Sequence, residues 1–231
     1  MIPIRDCLRP KRYPYVNVSI IVITLLIYLW EATLSQTELM RMANTYGVIP
    51  IHISQNIPNS ISSMVAWSPL ITSIFLHSGW LHVLGNMLYL WVFGDNVEDR
   101  LGHWRYLLFY LGAGIIGGLA QVISDPYFTV PVLGASGAIA GVLGAYVVSY
   151  PRARVETLII LLFFVTIVKI RAVVFILFWF ALQLLNGVAS LAGGLSQIAW
   201  WAHIGGFLGG IGLLFLLKTD SLASEKEDSC N

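Results

Sequence analysis

The chain has 231 residues, 57% hydrophobic and 11% charged, with a formal net charge of +1 and a mean hydropathy of +0.78. That balance excludes a water-soluble globular domain and offers no electrostatic ground for a nucleic-acid or acidic-substrate binder. The first question is therefore which segments are long and apolar enough to cross about 30 Å of hydrocarbon.

Residues 1–15 are basic and polar and read as a cytoplasmic N-terminus. The apolar run at 16–34 resembles a signal peptide, but it ends in WEATLSQ without a small-residue cleavage site, so it is expected to remain as a first span. Residues 35–65 combine turn signals with an apolar stretch and read as an outer loop at the interface. Further spans are expected at 78–93, 106–123, 132–150, 172–191 and 198–217, each bounded by charges, proline or polar clusters. Between the fourth and fifth, residues 155–168 are apolar enough to suggest a seventh span. They are short, β-branched and caught between Arg152/Arg154 and Lys169/Arg171, so an interfacial strand or re-entrant piece within a cytoplasmic connection over 151–171 fits better. Residues 218–231 form a polar cytoplasmic tail.

With the N-terminus in the cytoplasm, all of the 13 Lys and Arg except Arg41 fall on the cytoplasmic side. The expected fold class is an all-α membrane protein, a bundle of six transmembrane helices over 16–217 with both termini cytoplasmic. A plasma membrane is the expected location.

Polar groups inside spans are costly and usually face the bundle interior. Ser136, in the stretch GASG, is expected about four residues into the fourth span and His203 about five into the sixth, both running from outside to inside. At 1.5 Å per residue, each lies on the order of 6–8 Å below the outer end, and His82 in the second span lies at a similar depth. Asn86 is four residues from His82, on the same helical face. Gly137, Gly141 and Gly144 make a smooth stripe beside Ser136, while Gly206 and Gly210 share a face with His203. Small residues let membrane helices approach closely, and a short serine side chain needs that approach to reach an imidazole. Because His82 is expected to pair with Asn86, His77 reads as a structural hydrogen-bonder or interfacial residue rather than a catalyst, and His52 and His103 as loop residues without a specific role. Phe178, Trp179 and Phe180 in the fifth span are either a gate for a substrate entering sideways or lipid-facing anchors. Ser196 and Gln197 are placed to line an outward-open cavity.

Three stretches in this order, FLHSGWLHVLGNMLYLWVFGDNVEDRLG (75–102), GASGAIAG (134–141) and AHIGGFLGG (202–210), resemble the rhomboid intramembrane serine proteases. The resemblance runs from about Trp67 to Leu217. It implies a six-helix bundle, Ser136 as nucleophile, His203 as general base, and His82 and Asn86 as contributors to an oxyanion site. The glycines Gly134, Gly137, Gly141, Gly206 and Gly210 then serve close packing at that site. No metal or other cofactor is implied; the partners implied are single-span or other membrane-protein substrates within the lipid bilayer. Two departures stand out. Ala140 occupies the position where some relatives place a Tyr against the catalytic imidazole, and the Trp-x-Arg signature of the first outer loop is absent. Competing readings are a non-proteolytic rhomboid-like protein that binds membrane clients, and a small transporter using the same polar residues.

Overall fold

A computed structural model describes residues 1–56, 67–161, 164–191 and 198–217. Strand β1 (Ile2–Asp6) precedes helix α1 (Tyr15–Glu31), and three short helices follow: α2 (Gln36–Tyr46), α3 (Pro50–Asn56) and α4 (Pro69–Thr72). The long helices α5 (Trp80–Leu101) and α6 (His103–Ser124) lead into α7 (Ser136–Ser149). Strands β2 (Arg154–Leu161) and β3 (Phe164–Arg171) then precede α8 (Ala172–Leu191) and α9 (Trp200–Leu217). By length and composition α6, α8 and α9 can each cross a membrane, and α1 and α7 are shorter apolar helices.

Helix α7 forms the centre. Its residues from Gly137 to Tyr146 are buried without a break, which is the pattern of a helix surrounded by others. Helices α5, α6, α8 and α9 all pack against it, and α9 also lies along α6.

Two helix boundaries differ from the sequence reading by four residues or more. Helix α5 continues past Phe93 to Leu101, because its acidic end is used rather than solvated. The buried Glu98 carboxylate accepts the backbone N–H groups of Val16 (3.0 Å) and Asn17 (2.6 Å), two of the unpaired donors at the start of α1. Asp99 accepts those of Lys11 and Arg12. His103, expected to do nothing specific, meets Glu98 at 2.5 Å. The second difference is that α7 starts at Ser136 rather than at residue 132. Gly134 has φ +123°, which a helix cannot accommodate, and Val132 pairs instead with Val48 as an isolated bridge.

The description as all-α also needs amendment. The β-branched stretch after α7 forms an antiparallel hairpin, with Arg154 opposite Arg171 and Ile160 opposite Val165. Strand β1 adds to its free side, giving the order β1-β2-β3. Val155 and Thr157 point to the buried face, while Glu156 on the other face pairs with Arg5 at 2.7 Å. The sheet follows the C-terminal end of α7 and so lies at the end of the bundle away from Ser136. Ser196, Gln197 and residues 218–231 lie outside the described residues.

Asp6 ties the sheet to the bundle. Its carboxyl accepts from the Tyr146 hydroxyl (2.5 Å) on α7 and the Asn96 amide (3.0 Å) on α5. Burial pushes its pKa up to about 7 against the opposing effect of the Tyr146 hydrogen bond, with the Asp95 charge adding to the rise. Between the unfolded carboxyl value of about 3.9 and about 7, the folded chain therefore holds a proton that the unfolded chain has lost. Stability from this group is greatest below that window and falls as pH rises through it. The melting temperature of the detergent-solubilised chain is expected to be higher at pH 5 than at pH 8, and Asp6→Asn to reduce that difference; an unchanged difference would contradict the assignment.

Candidate active site

Ser136 is the first residue of α7, and His203 is on the first turn of α9. Their side chains meet, with Ser136 Oγ 2.8 Å from His203 Nε2. The close approach is made by backbone. A Cβ on Gly206 would overlap the carbonyl oxygen of Gly137, and one on Gly210 would overlap Gly141. Gly144 meets the Phe207 backbone in the same way. The glycines anticipated on both helices therefore face one another.

The other imidazole nitrogen has a partner that the sequence did not single out. His203 Nδ1 lies 2.8 Å from Gln183 Oε1 on α8. Gln183 Nε2 donates to the Trp179 carbonyl (3.1 Å) one turn back, which turns its oxygen toward the ring. Only a protonated Nδ1 can satisfy that oxygen, so Nε2 carries the lone pair and accepts from the Ser136 hydroxyl. Ala140 leaves no aromatic ring on α7 beside the imidazole. Trp179 and Trp200 flank it instead, with centroids 5.9 Å and 6.2 Å from the His203 ring.

The expected pairing of His82 with Asn86 is not observed. Asn86 Nδ2 bonds His77 Nε2 at 3.0 Å, and His82 Nδ1 bonds Ser78 Oγ at 3.1 Å. The four-residue spacing does put His82 and Asn86 on one face, but His77 in the preceding loop reaches the amide first. The buried Glu31 at the end of α1 holds that loop by accepting the His77 backbone N–H (3.2 Å). An acidic residue closing an apolar helix was the available signal for Glu31; nothing local marked Gln183.

Gly134 closes the site. A side chain there would lie 2.7 Å from His82 Nε2, so its absence lets the imidazole sit against the turn before Ser136. The Ser136 backbone N–H, the Asn86 amide and His82 thus border one cavity of about 640 Å³ with Ser136 and His203 on its wall. Trp179 and Gln183 of α8 and Val130–Leu133 also line it. Of the three aromatics proposed as a gate, only Phe178 is exposed, at 53%; Trp179 contacts His203, and Phe180 stacks on Phe207 at 4.2 Å. Three consecutive helical residues cannot share a face. Among the described residues, no group of His, Cys, Asp and Glu converges to hold a metal ion.

A hydroxyl bonded to a neutral imidazole, beside fixed N–H donors and a free cavity, is an arrangement suited to acyl transfer. Comparison with known proteins bears on this. A family model described as the Rhomboid domain matches residues 65–219. Rhomboid protease GluP of Bacillus subtilis (strain 168) is 47% identical over 87 residues, 38% of this chain and 17% of that protein. Putative rhomboid protease YdcA of the same organism is 45% identical over 80 residues, 35% of this chain and 40% of that protein. The human presenilin-associated rhomboid-like protein, mitochondrial, is 34% identical over 106 residues, 44% of this chain and 27% of that protein. The matches thus span less than half the length of each of these relatives.

Gly206→Val tests the packing. Its branched side chain must push α9 away from the Gly137 carbonyl, at a cost of about 1–3 kcal/mol or more for overpacking. A clear drop in the thermal unfolding midpoint in detergent is expected, larger than for Gly212→Val, where no heavy atom lies within 4 Å of a built Cβ; equal midpoints would contradict the packing account.

Proposed function

The chain belongs to the rhomboid family, and on that footing we propose that it is an intramembrane serine endopeptidase with Ser136 as nucleophile and His203 as general base. The observation that carries the reading is the 2.8 Å contact between Ser136 Oγ and His203 Nε2. The protein is an integral membrane protein. Its proposed topology is six spans, α1 and α5–α9, with both termini and the sheet in the cytoplasm and the Ser136 end in the outer leaflet. The near-absence of Lys and Arg outside the cytoplasmic segments supports that orientation. The plasma membrane is the proposed location.

In the proposed reaction, His203 Nε2 takes the Ser136 hydroxyl proton as Oγ attacks the carbonyl of a peptide bond. The oxyanion that forms is met by the Ser136 backbone N–H, which has no intrahelical acceptor in the first turn, and by His82. Asn86 has one amide hydrogen on His77 and a second to offer the oxyanion. As the intermediate collapses, the imidazolium returns the proton to the leaving amine. Water, activated by the same nitrogen, then hydrolyses the acyl-enzyme and restores Ser136. Water is available because the site lies near the outer end of the bundle. Among the described residues, no buried carboxylate contacts His203; its Nδ1 partner is the neutral Gln183 amide. The proposed substrates are single-span or other membrane-anchored proteins.

A non-proteolytic client-binding role is the second reading, and it has no use for a serine hydroxyl bonded to an imidazole. A transporter calls for polar groups through the whole membrane depth, whereas Ser136, His203, His82 and Asn86 border one cavity.

Cleavage of a single-span substrate reconstituted in liposomes tests the proposal. Wild type is expected to cut, and Ser136→Ala and His203→Ala to fall to background; equal product from all three would overturn it. Asn86→Ala is expected to lower kcat by about 10²-fold, the typical loss for one oxyanion donor. An unchanged kcat with the fold intact removes Asn86 from the role.

A further inference from the structure

We propose that Gln183 is a positioning residue for His203, and that its place on α8 makes the orientation of the imidazole depend on that helix being seated against α9. The proposal deepens the protease reading and rests on it for its kinetic consequences. The Gln183 amide is held at both ends, by His203 Nδ1 at 2.8 Å and the Trp179 carbonyl at 3.1 Å. Its oxygen thereby selects the tautomer with the proton on Nδ1. The other tautomer carries its proton on Nε2 and cannot take one from Ser136.

The attachment of α8 makes this bond conditional. At the sheet end the helix is anchored by Ala172, Phe175 and Ile176, all buried. Toward the Ser136 end its buried residues are Gln183 and Gly187. Gly187 rests against Ile204 and Trp200 of α9. Trp179 and Gln183 of α8 line the cavity together with His82 and Asn86 of α5, so a displacement of this part of α8 would part Gln183 from His203.

Three variants test the proposal, using the full chain in detergent with a fluorogenic single-span substrate. Gln183→Leu is expected to lower kcat, with KM little changed, by part of the about 10²- to 10⁴-fold that a positioned general base contributes. Gln183→Glu is expected to recover part of that loss and move the acid limb of the kcat/KM profile to higher pH, since a carboxylate opposite Nδ1 favours the imidazolium. Gly187→Leu leaves Gln183 in place but pushes against Ile204, where a Cβ already lies 2.9 Å from Cδ1; it is expected to lower kcat as well. Wild-type kcat in Gln183→Leu, or an unmoved pH profile in Gln183→Glu, overturns the positioning role. Wild-type kcat in Gly187→Leu overturns the dependence on helix seating.

A readout independent of proteolysis separates this from the protease reading. In 15N-histidine spectra, with His203 assigned by His203→Ala, wild type is expected to show the Nδ1–H tautomer and Gln183→Leu a mixture. The same tautomer in both overturns the proposal even where cleavage is robust. A shift in tautomer with no cleavage by wild type would leave the positioning intact and remove the protease reading.

Discussion

A serine hydroxyl reaches only a short way from its backbone, whereas helices ordinarily pack 8–10 Å apart. Contact between Ser136 and His203 therefore requires α7 and α9 to approach along lines where neither carries a side chain. Gly137, Gly141 and Gly144 supply that line on α7, and Gly206 and Gly210 supply it on α9. Much of the remaining architecture serves this pair. Helix α6 backs both helices, with Gly117 against the Ala202 carbonyl and Gly205 against Ala120. Lipid provides no hydrophobic force between helices, so tight van der Waals fit is what holds such a bundle together.

The polar groups that this packing admits into the bundle are tied to one another in sequence. Glu31 holds the loop carrying His77, His77 holds Asn86, and Ser78 holds His82. Gln183 and Ser136 hold His203 from opposite sides. Each bond offsets the cost of placing a polar atom in a medium of low dielectric. Each also fixes a donor or lone pair before substrate arrives, which is the condition for electrostatic stabilisation without reorganisation. At the other end of the bundle, Glu98, Asp99 and Asp6 clamp the N-terminal segment onto α5 and α7.

What could be read in the sequence was what depends on local spacing. The glycine stripes, the common level of Ser136 and His203, and the strand-forming character of the β-branched stretch all follow from periodicity and composition within one element. The features that escaped depend on how elements rotate against one another. Gln183 sits in an apolar helix like any satisfied polar residue, and its role appears only when α8 is turned to face α9. The spacing of His82 and Asn86 implied a pair, yet a residue from outside the helix won the contact. Charges after Phe93 suggested a helix end at the interface; they continue the helix because the start of α1 consumes them as caps. Gly134 looked like packing, whereas its positive φ delays the start of α7 and makes Ser136 its first residue. That placement leaves the Ser136 N–H without an intrahelical acceptor, a detail on which the proposed oxyanion site depends.

The central claim is that the bond to His203 makes Ser136 a nucleophile. Treatment of the detergent-solubilised chain with a fluorophosphonate, followed by mass spectrometry of the intact protein and its peptides, tests it directly. The account predicts one adduct per chain, on the peptide containing Ser136, with its formation greatly slowed in His203→Ala. No adduct, an adduct on another serine, or labelling of Ser136 at an equal rate without His203 would contradict it.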